Sequence, residues 1–201
     1  MITAFEFQNW KSYSDSKLHV DPLTVLIGTN ASGKSNALDA LLFLNRIAHG
    51  AQLTAALQGD AALGAVRGGV EWAARQPGDT FSLLVTVRSD DLTDYKYRIE
   101  ARVRASRCEL IAEQLVRVKY RPAKRGEQGV RGAQSGSLRL FWTDECEVDA
   151  PNVTARLYNE KRGSPRSMSR ANAILSQLVG QKHRQEIQDG VSAVIGALQG
   201  I

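Results

Sequence analysis

The chain is short of cysteine and of long apolar runs, and both shortages narrow what it can be. Its 201 residues include 2 cysteines. Cys108 and Cys146 each stand alone, without a second close cysteine or a histidine at ligand spacing, so neither a disulfide framework nor a metal site is indicated. No apolar run approaches the length of a membrane span, and the opening Ile2-Thr-Ala-Phe-Glu-Phe7 lacks the basic segment and apolar core of a signal peptide. These absences point to a reduced, cytoplasmic setting with no membrane partner. No internal repeat is found.

What remains is ordinary globular composition, with 43% hydrophobic and 23% charged residues. The length suits one domain with a substantial core, or one lobe of a larger one. The formal charge is +5, and its distribution is more telling than its sum. Arg102, Arg104, Arg107, Arg117, Lys119, Arg121, Lys124, Arg125, Arg131 and Arg139 are opposed only by Glu109, Glu113 and Glu127. Such a stretch suits DNA or another polyanion, and equally the solvated face of a β lobe.

The most informative stretch is Leu23-Thr-Val-Leu-Ile-Gly-Thr-Asn-Ala-Ser-Gly-Lys-Ser35. It sets Gly28, Gly33, Lys34 and Ser35 at the G-x-x-x-x-G-K-[ST] spacing of a phosphate-binding loop. Leu23 to Ile27, bounded by Pro22 and Gly28, reads as a buried strand, and Ser35 to Ile47 as a helix. Small residues let the loop turn its backbone N–H groups around a phosphate, and the helix N-terminus adds further donors and a favourable dipole. Lys34 is assigned the β- and γ-phosphates and the Ser35 hydroxyl Mg²⁺, so ATP and Mg²⁺ are the expected ligands. No D-x-x-G occurs anywhere in the chain, which argues against a GTPase.

Around the loop, Ile2 to Asn9 alternates as a half-exposed strand with Lys17 to Val20 as its return partner, and Ala51 to Leu57 adds a helical turn or two. Phe81 to Val87, Tyr95 to Val103, Glu109 to Tyr120 and Ser137 to Val148 read as antiparallel strands. The glycine-rich span from Arg121 to Gly136 reads as a long loop. Beyond Pro165, Met168 to Val179 and Lys182 to Leu198 read as helices. The organisation is thus strand, loop and helix over 1–60, an antiparallel β lobe over 80–148, and helices over 166–199.

Phe7-Gln-Asn-Trp-Lys-Ser-Tyr13 looks like the F-x-N-[FW]-[RK]-S-[FY] opening of the RecF/SMC class of ABC-type ATPases. Leu23 to Ala40 matches that class's L-T-x-L-I-G-x-N-x-S-G-K-S-N-x-x-x-A. The chain therefore resembles the N-terminal part of a RecF/SMC-like ATPase head, as in the AAA-type ATPases of bacterial defence systems and the ATPase part of OLD nucleases. The fold class implied is α/β: a P-loop NTPase lobe of ABC type with an antiparallel β lobe and C-terminal helices.

The resemblance further implies that Lys11 approaches the phosphates, that Asn30 and Ser32 lie in the loop over them, and that Asn36 lies near the α-phosphate. For Lys11 the alternative is a solvated lysine at a strand end. Gln114 stands where a glutamine sensing Mg²⁺ and the attacking water is expected, and is also readable as a plain strand residue. Trp10 and Tyr13 read as packing residues. No L-S-G-G-Q-like signature or switch histidine is found, and Leu140-Phe-Trp-Thr-Asp-Glu145 reads as a strand of the β lobe rather than as the catalytic Asp-Glu strand.

ATP hydrolysis needs a positioned water, so the expectation is the ATP-binding half of an ATPase acting in DNA repair or anti-phage defence. A missing C-terminal half or a partner, met as a dimer through an ATP sandwich, would complete it. The other class of function is a non-hydrolysing nucleotide-sensing module that regulates a partner nuclease or toxin.

Overall fold

Phe81, Leu83, Val85 and Val87 alternate with polar or less buried residues and are almost wholly excluded from solvent. That period of two seeds the sheet on which the molecule is built. The computed structural model describes residues 1–61, 64–124, 130–145, 147 and 150–201. Strands β1 (Ile2–Trp10), β2 (Tyr13–His19), β3 (Thr80–Asp90), β4 (Thr93–Arg104), β5 (Arg107–Pro122), β6 (Arg131–Thr143), β7 (Asn152–Leu157) and β8 (Ser164–Ser169) form one 8-stranded sheet in the order β2-β1-β3-β4-β5-β6-β7-β8. Every pairing is antiparallel. Helices α1 (Lys34–Ala48) and α2 (Leu53–Gln58) lie between β2 and β3 in sequence, and α3 (Ile174–Gln177) and α4 (Gln185–Gln199) follow β8.

One face of the sheet carries the helices. Phe7, Leu83, Ile99 and Glu113 stand in register across β1, β3, β4 and β5 and point to that face. Against it α1 places Phe43, whose ring meets Trp10 and Phe81 at 6.0 and 5.8 Å between centroids. Farther along, α4 approaches so closely at Gly190 that an added Cβ would collide with Leu140, Tyr95 and Leu115. The two long helices are tied together where Asn45 Nδ2 donates to the Leu198 carbonyl and Gln199 Nε2 to that of Ala48, each at 3.0 Å. The alternate row, Glu6, Leu84, Arg98, Gln114, Trp142 and Arg156, points away from the helices.

Four sequence expectations about the fold need correction. Leu23 to Ile27 is not a strand: the segment is irregular and unpaired, with Leu23, Val25 and Ile27 at 84%, 69% and 90% exposure. Strand propensity reflects packing against neighbours more than an intrinsic backbone preference, and no described strand pairs with this run. Second, Met168 to Val179 is mainly not helical. Met168 belongs to β8, and α3 is a single turn that buries Ile174 and Leu175. Third, the described part of the span from Arg121 to Gly136 is largely paired, because β5 runs to Pro122 and β6 begins at Arg131. The last expected strand ends at Thr143 rather than Val148. Arg125, Gly126, Glu127, Gly129, Cys146 and Val148 lie outside the described residues.

The described basic residues between 102 and 139 are spread along the length of the sheet. Arg104 and Arg107 sit at the β4–β5 turn, while Lys119 and Arg121 lie near the other end of β5, about 40 Å away at the rise of an extended strand. Several are engaged: Arg131 pairs with Asp94 at 2.6 Å, Arg102 with Asp79 at 3.4 Å, and Arg139 lies over the Trp142 ring. Glu113, counted among their opposing charges, is instead buried.

Candidate functional site

Gly33 sets the local geometry of the loop. Its φ of +94° is left-handed backbone, which glycine adopts without a Cβ penalty, and it caps the N-terminus of α1. Its carbonyl accepts from the N–H groups of Asn36 and Ala37 and from Tyr13 Oη at 3.0 Å. A Cβ there would stand 3.0 Å from that same hydroxyl, so glycine also gives Tyr13 its place. Tyr13 stacks on Phe7 at 5.0 Å, which fixes the loop's exit to the edge of the sheet.

Lys34 folds back over its own loop. Its ammonium donates to the carbonyls of Gly28 and Thr29 at 2.6 and 2.7 Å and to Ser32 Oγ at 3.2 Å. A cation held only by neutral loop oxygens can exchange them for phosphate oxygens in a stronger, charge-assisted contact. Asn30 is exposed at the loop tip, and Ser35 lies in the first turn of α1 with its carbonyl accepting from Arg67 Nη2 at 3.1 Å. Asn36 is fixed twice: its carbonyl accepts from Trp10 Nε1, and its Nδ2 donates to Ser12 Oγ, both at 2.7 Å. Beside the loop lies a cleft of about 360 Å³ lined by Tyr13, Lys17, Val25, Ile27, Gly28 and Lys34 among others.

Lys11 sits in a nearly buried ion pair at the end of β1. It is not a solvated lysine, because its Nζ lies 2.6 Å from Asp39 Oδ2 with both side chains nearly buried, at 8% and 6% exposure. The same Nζ donates to the Arg67 carbonyl, and the Arg67 guanidinium donates to Asp39 Oδ1. Burial lowers the Lys11 pKa, opposed by the hydrogen bond and charge of Asp39. The resulting Lys11–Asp39–Arg67 cluster braces the first turns of α1. Asp39 and Arg67 were missed in the sequence. An aspartate on the apolar side of an amphipathic helix, downstream of a lone lysine, was the available signal for the first. Nothing local marks Arg67.

Gln114 does not join the loop. It lies on β5, three strand spacings or about 14 Å from β1, on the sheet face away from α1. There it lines a hollow with Arg98, Glu100, Arg139 and Trp142. Its neighbour Glu113 turns inward instead. Glu113 accepts from Tyr97 Oη at 3.0 Å and from the N–H groups of Ile174 and Leu175 at 2.6 and 2.8 Å. Burial raises it to about 7 in spite of those three donors. Asp144 pairs with Arg156 at 2.8 Å beyond the end of β6.

The family model described as the AAA ATPase domain matches residues 1–101, half of the chain. The chain belongs to the AAA ATPase domain family. Membership carries with it nucleotide binding by an ATPase-family chain, and the matched span contains the whole Gly28–Ser35 loop, α1 and the Lys11–Asp39–Arg67 cluster. No curated protein matches the chain. Among the described residues no helix is long and apolar enough to cross a membrane.

Proposed function

We propose that this AAA ATPase domain protein is the ATP-binding N-terminal part of a RecF/SMC-like ATPase that acts in DNA repair or anti-phage defence. The observation that carries the reading is the Gly28–Ser35 loop, which delivers Lys34 and the N-terminus of α1 to one place. Phosphates would lie on the free N–H groups of the first helical turn, with Lys34 leaving its loop carbonyls for the β- and γ-phosphates. The Ser35 hydroxyl would face Mg²⁺, which neutralises phosphate charge when bound. Asn30 and Ser32 would border the phosphates, and Asn36 the α-phosphate. Lys11 would act from within its cluster, held by Asp39 until a phosphate competes for it. Gln114, on the face away from α1, has no part in this proposal.

Hydrolysis needs an oriented water beside the loop. We assign that to a further part of the ATPase core, from the same polypeptide or a partner, bringing a strand against Leu23 to Ile27. The exposed Leu23, Val25 and Ile27 support this, since they have the composition of a buried strand without its neighbours. Two such heads would sandwich ATP between them, as a homodimer or with a partner subunit, and grip DNA as they close. By itself the chain is expected to bind nucleotide and to hydrolyse it slowly or not at all.

The test is thermal unfolding with Mg·ATP. Ligand at about 100 times its dissociation constant stabilises a protein by about 2.7 kcal/mol. Lys34→Ala should remove most of that shift. If neither ATP nor GTP stabilises the wild type, the reading fails.

A further inference from the structure

A second cleft, of about 630 Å³, lies on the opposite flank of the α1 N-terminus from Lys34. It is lined by Lys11, Ser12, Asn36, Arg67, Trp72 and Arg75, with Ala74 and Gln76 at its margin. Helical spacing explains the separation: Ser35, Asn36 and Asp39 point to one side of the helix, Lys34 and Ala37 to the other. The cleft is thus continuous with the turn expected to hold phosphates, and its size falls within the range of small-molecule sites.

Trp72 is the unusual feature. Trp10 is wholly buried, and Trp142 is packed against Gly163 beneath Arg139. Trp72 instead presents its indole at 61% exposure, on the cleft wall. Its position is built rather than incidental. Gly68, at a φ of +76°, leaves room for it, since a Cβ there would come within 2.8 Å of Trp72 Cβ. The segment is pinned to the end of β1 where Lys11 N–H donates to the Ala73 carbonyl at 3.0 Å and Arg75 N–H to that of Asn9 at 2.7 Å. Arg67 closes the link by donating to the Ser35 carbonyl. An aromatic face is thereby held at a fixed offset from the helix N-terminus, among cationic side chains.

The geometry assigns this cleft to the nucleoside end of the bound nucleotide: the base stacks on Trp72, and the ribose lies between Arg75 and the Ser12–Asn36 pair. The inference rests on phosphate binding by the Gly28–Ser35 loop and adds the residues that favour a nucleotide over bare polyphosphate. An indole offers overlap to any base and most to a purine, so purine nucleotides bind more tightly than pyrimidine ones. Gln76, whose Nε2 donates to the Glu71 carbonyl, also lines this cleft.

The experiment compares Mg·ATP with Mg·tripolyphosphate by calorimetric titration of the full chain, wild type against Trp72→Ala and Trp72→Phe. Base stacking on an aromatic contributes enough for its loss to weaken ATP binding about tenfold. Trp72→Ala should show that loss while leaving tripolyphosphate affinity unchanged, and Trp72→Phe should retain most of the ATP affinity. Because the side chain is largely exposed, the unfolding midpoint of both variants should stay near that of the wild type. Equal affinity of the wild type for ATP and tripolyphosphate, or unaltered ATP affinity in Trp72→Ala, overturns the assignment while leaving the phosphate loop intact. If neither ligand binds the wild type, the loop reading falls and this one with it.

Discussion

Leu23 to Ile27 and Leu83 to Val87 are alike as sequence and opposite as structure. Both are short runs rich in leucine and β-branched residues. Leu83, Val85 and Val87 are buried in β3, between β1 and β4 and beneath the helices, whereas Leu23, Val25 and Ile27 project into solvent without strand partners. Composition therefore does not decide which run becomes a strand; available neighbours do. The contrast continues in function. The buried run holds the scaffold together, and the exposed run leads directly into Gly28 and the proposed phosphate loop. Loops of this kind are held by few packed contacts and can respond to what they bind.

The sharpest way to break the comparison is to truncate one residue in each run. Leu83→Ala should cost about 2–5 kcal/mol in denaturant unfolding, because it removes a fully packed side chain and leaves a cavity. Asp39→Ala should cost a similar amount, about 3–5 kcal/mol, by leaving the nearly buried Lys11 ammonium without its carboxylate. This variant asks whether the start of α1 shares the rigidity of the sheet or that of the loop.

A somewhat smaller effect should appear at Glu113, which ties the sheet to α3. Its folded pKa is raised from 4.5 to about 7, so between those values the native state binds the proton more tightly than the unfolded chain. The sign follows directly: its contribution is fully present below about pH 4.5 and is lost as pH rises through about 7. The loss is on the order of 3 kcal/mol, read as falling unfolding stability across that window, and Glu113→Gln should remove the slope. The smallest effect belongs to Ile27→Ala, which should stay within about 0.5 kcal/mol of the wild type. A cost comparable to that of Leu83→Ala would mean that the Leu23–Ile27 run is packed in solution, and the comparison would collapse.

The same contrast shows what was legible in the sequence. Strands β1 and β3 to β5 and helices α1 and α4 announce themselves because their apolar period matches the face they bury, whereas the exposed first half of β6 reads as loop. β8 does not: Ser164-Pro-Arg-Ser-Met-Ser169 is polar and carries a proline, which a strand at the sheet's edge tolerates and a central one does not. Ile174, Leu175 and Leu178 show helical spacing because one turn is buried, not because a long helix surrounds them. Within the candidate site, Gly28, Gly33, Lys34 and Ser35 are legible because the phosphate-binding role proposed for them goes with a fixed spacing along the chain. Asp39, Arg67 and Trp72 are brought to them only by folding, across 28 residues between Lys11 and Asp39 alone, and no local pattern records that meeting.

Hydrogen exchange with and without Mg·ATP tests the central claim most directly, because it reads both regions in one measurement. The account predicts that nucleotide slows exchange at the amides from Gly28 to Ala37 and at Trp72 to Gln76, while β3 to β5 are left as they were. It also predicts that Lys34→Ala loses the protection in the loop. Unchanged exchange from Gly28 to Ala37 at saturating Mg·ATP, or protection that survives Lys34→Ala, would contradict it.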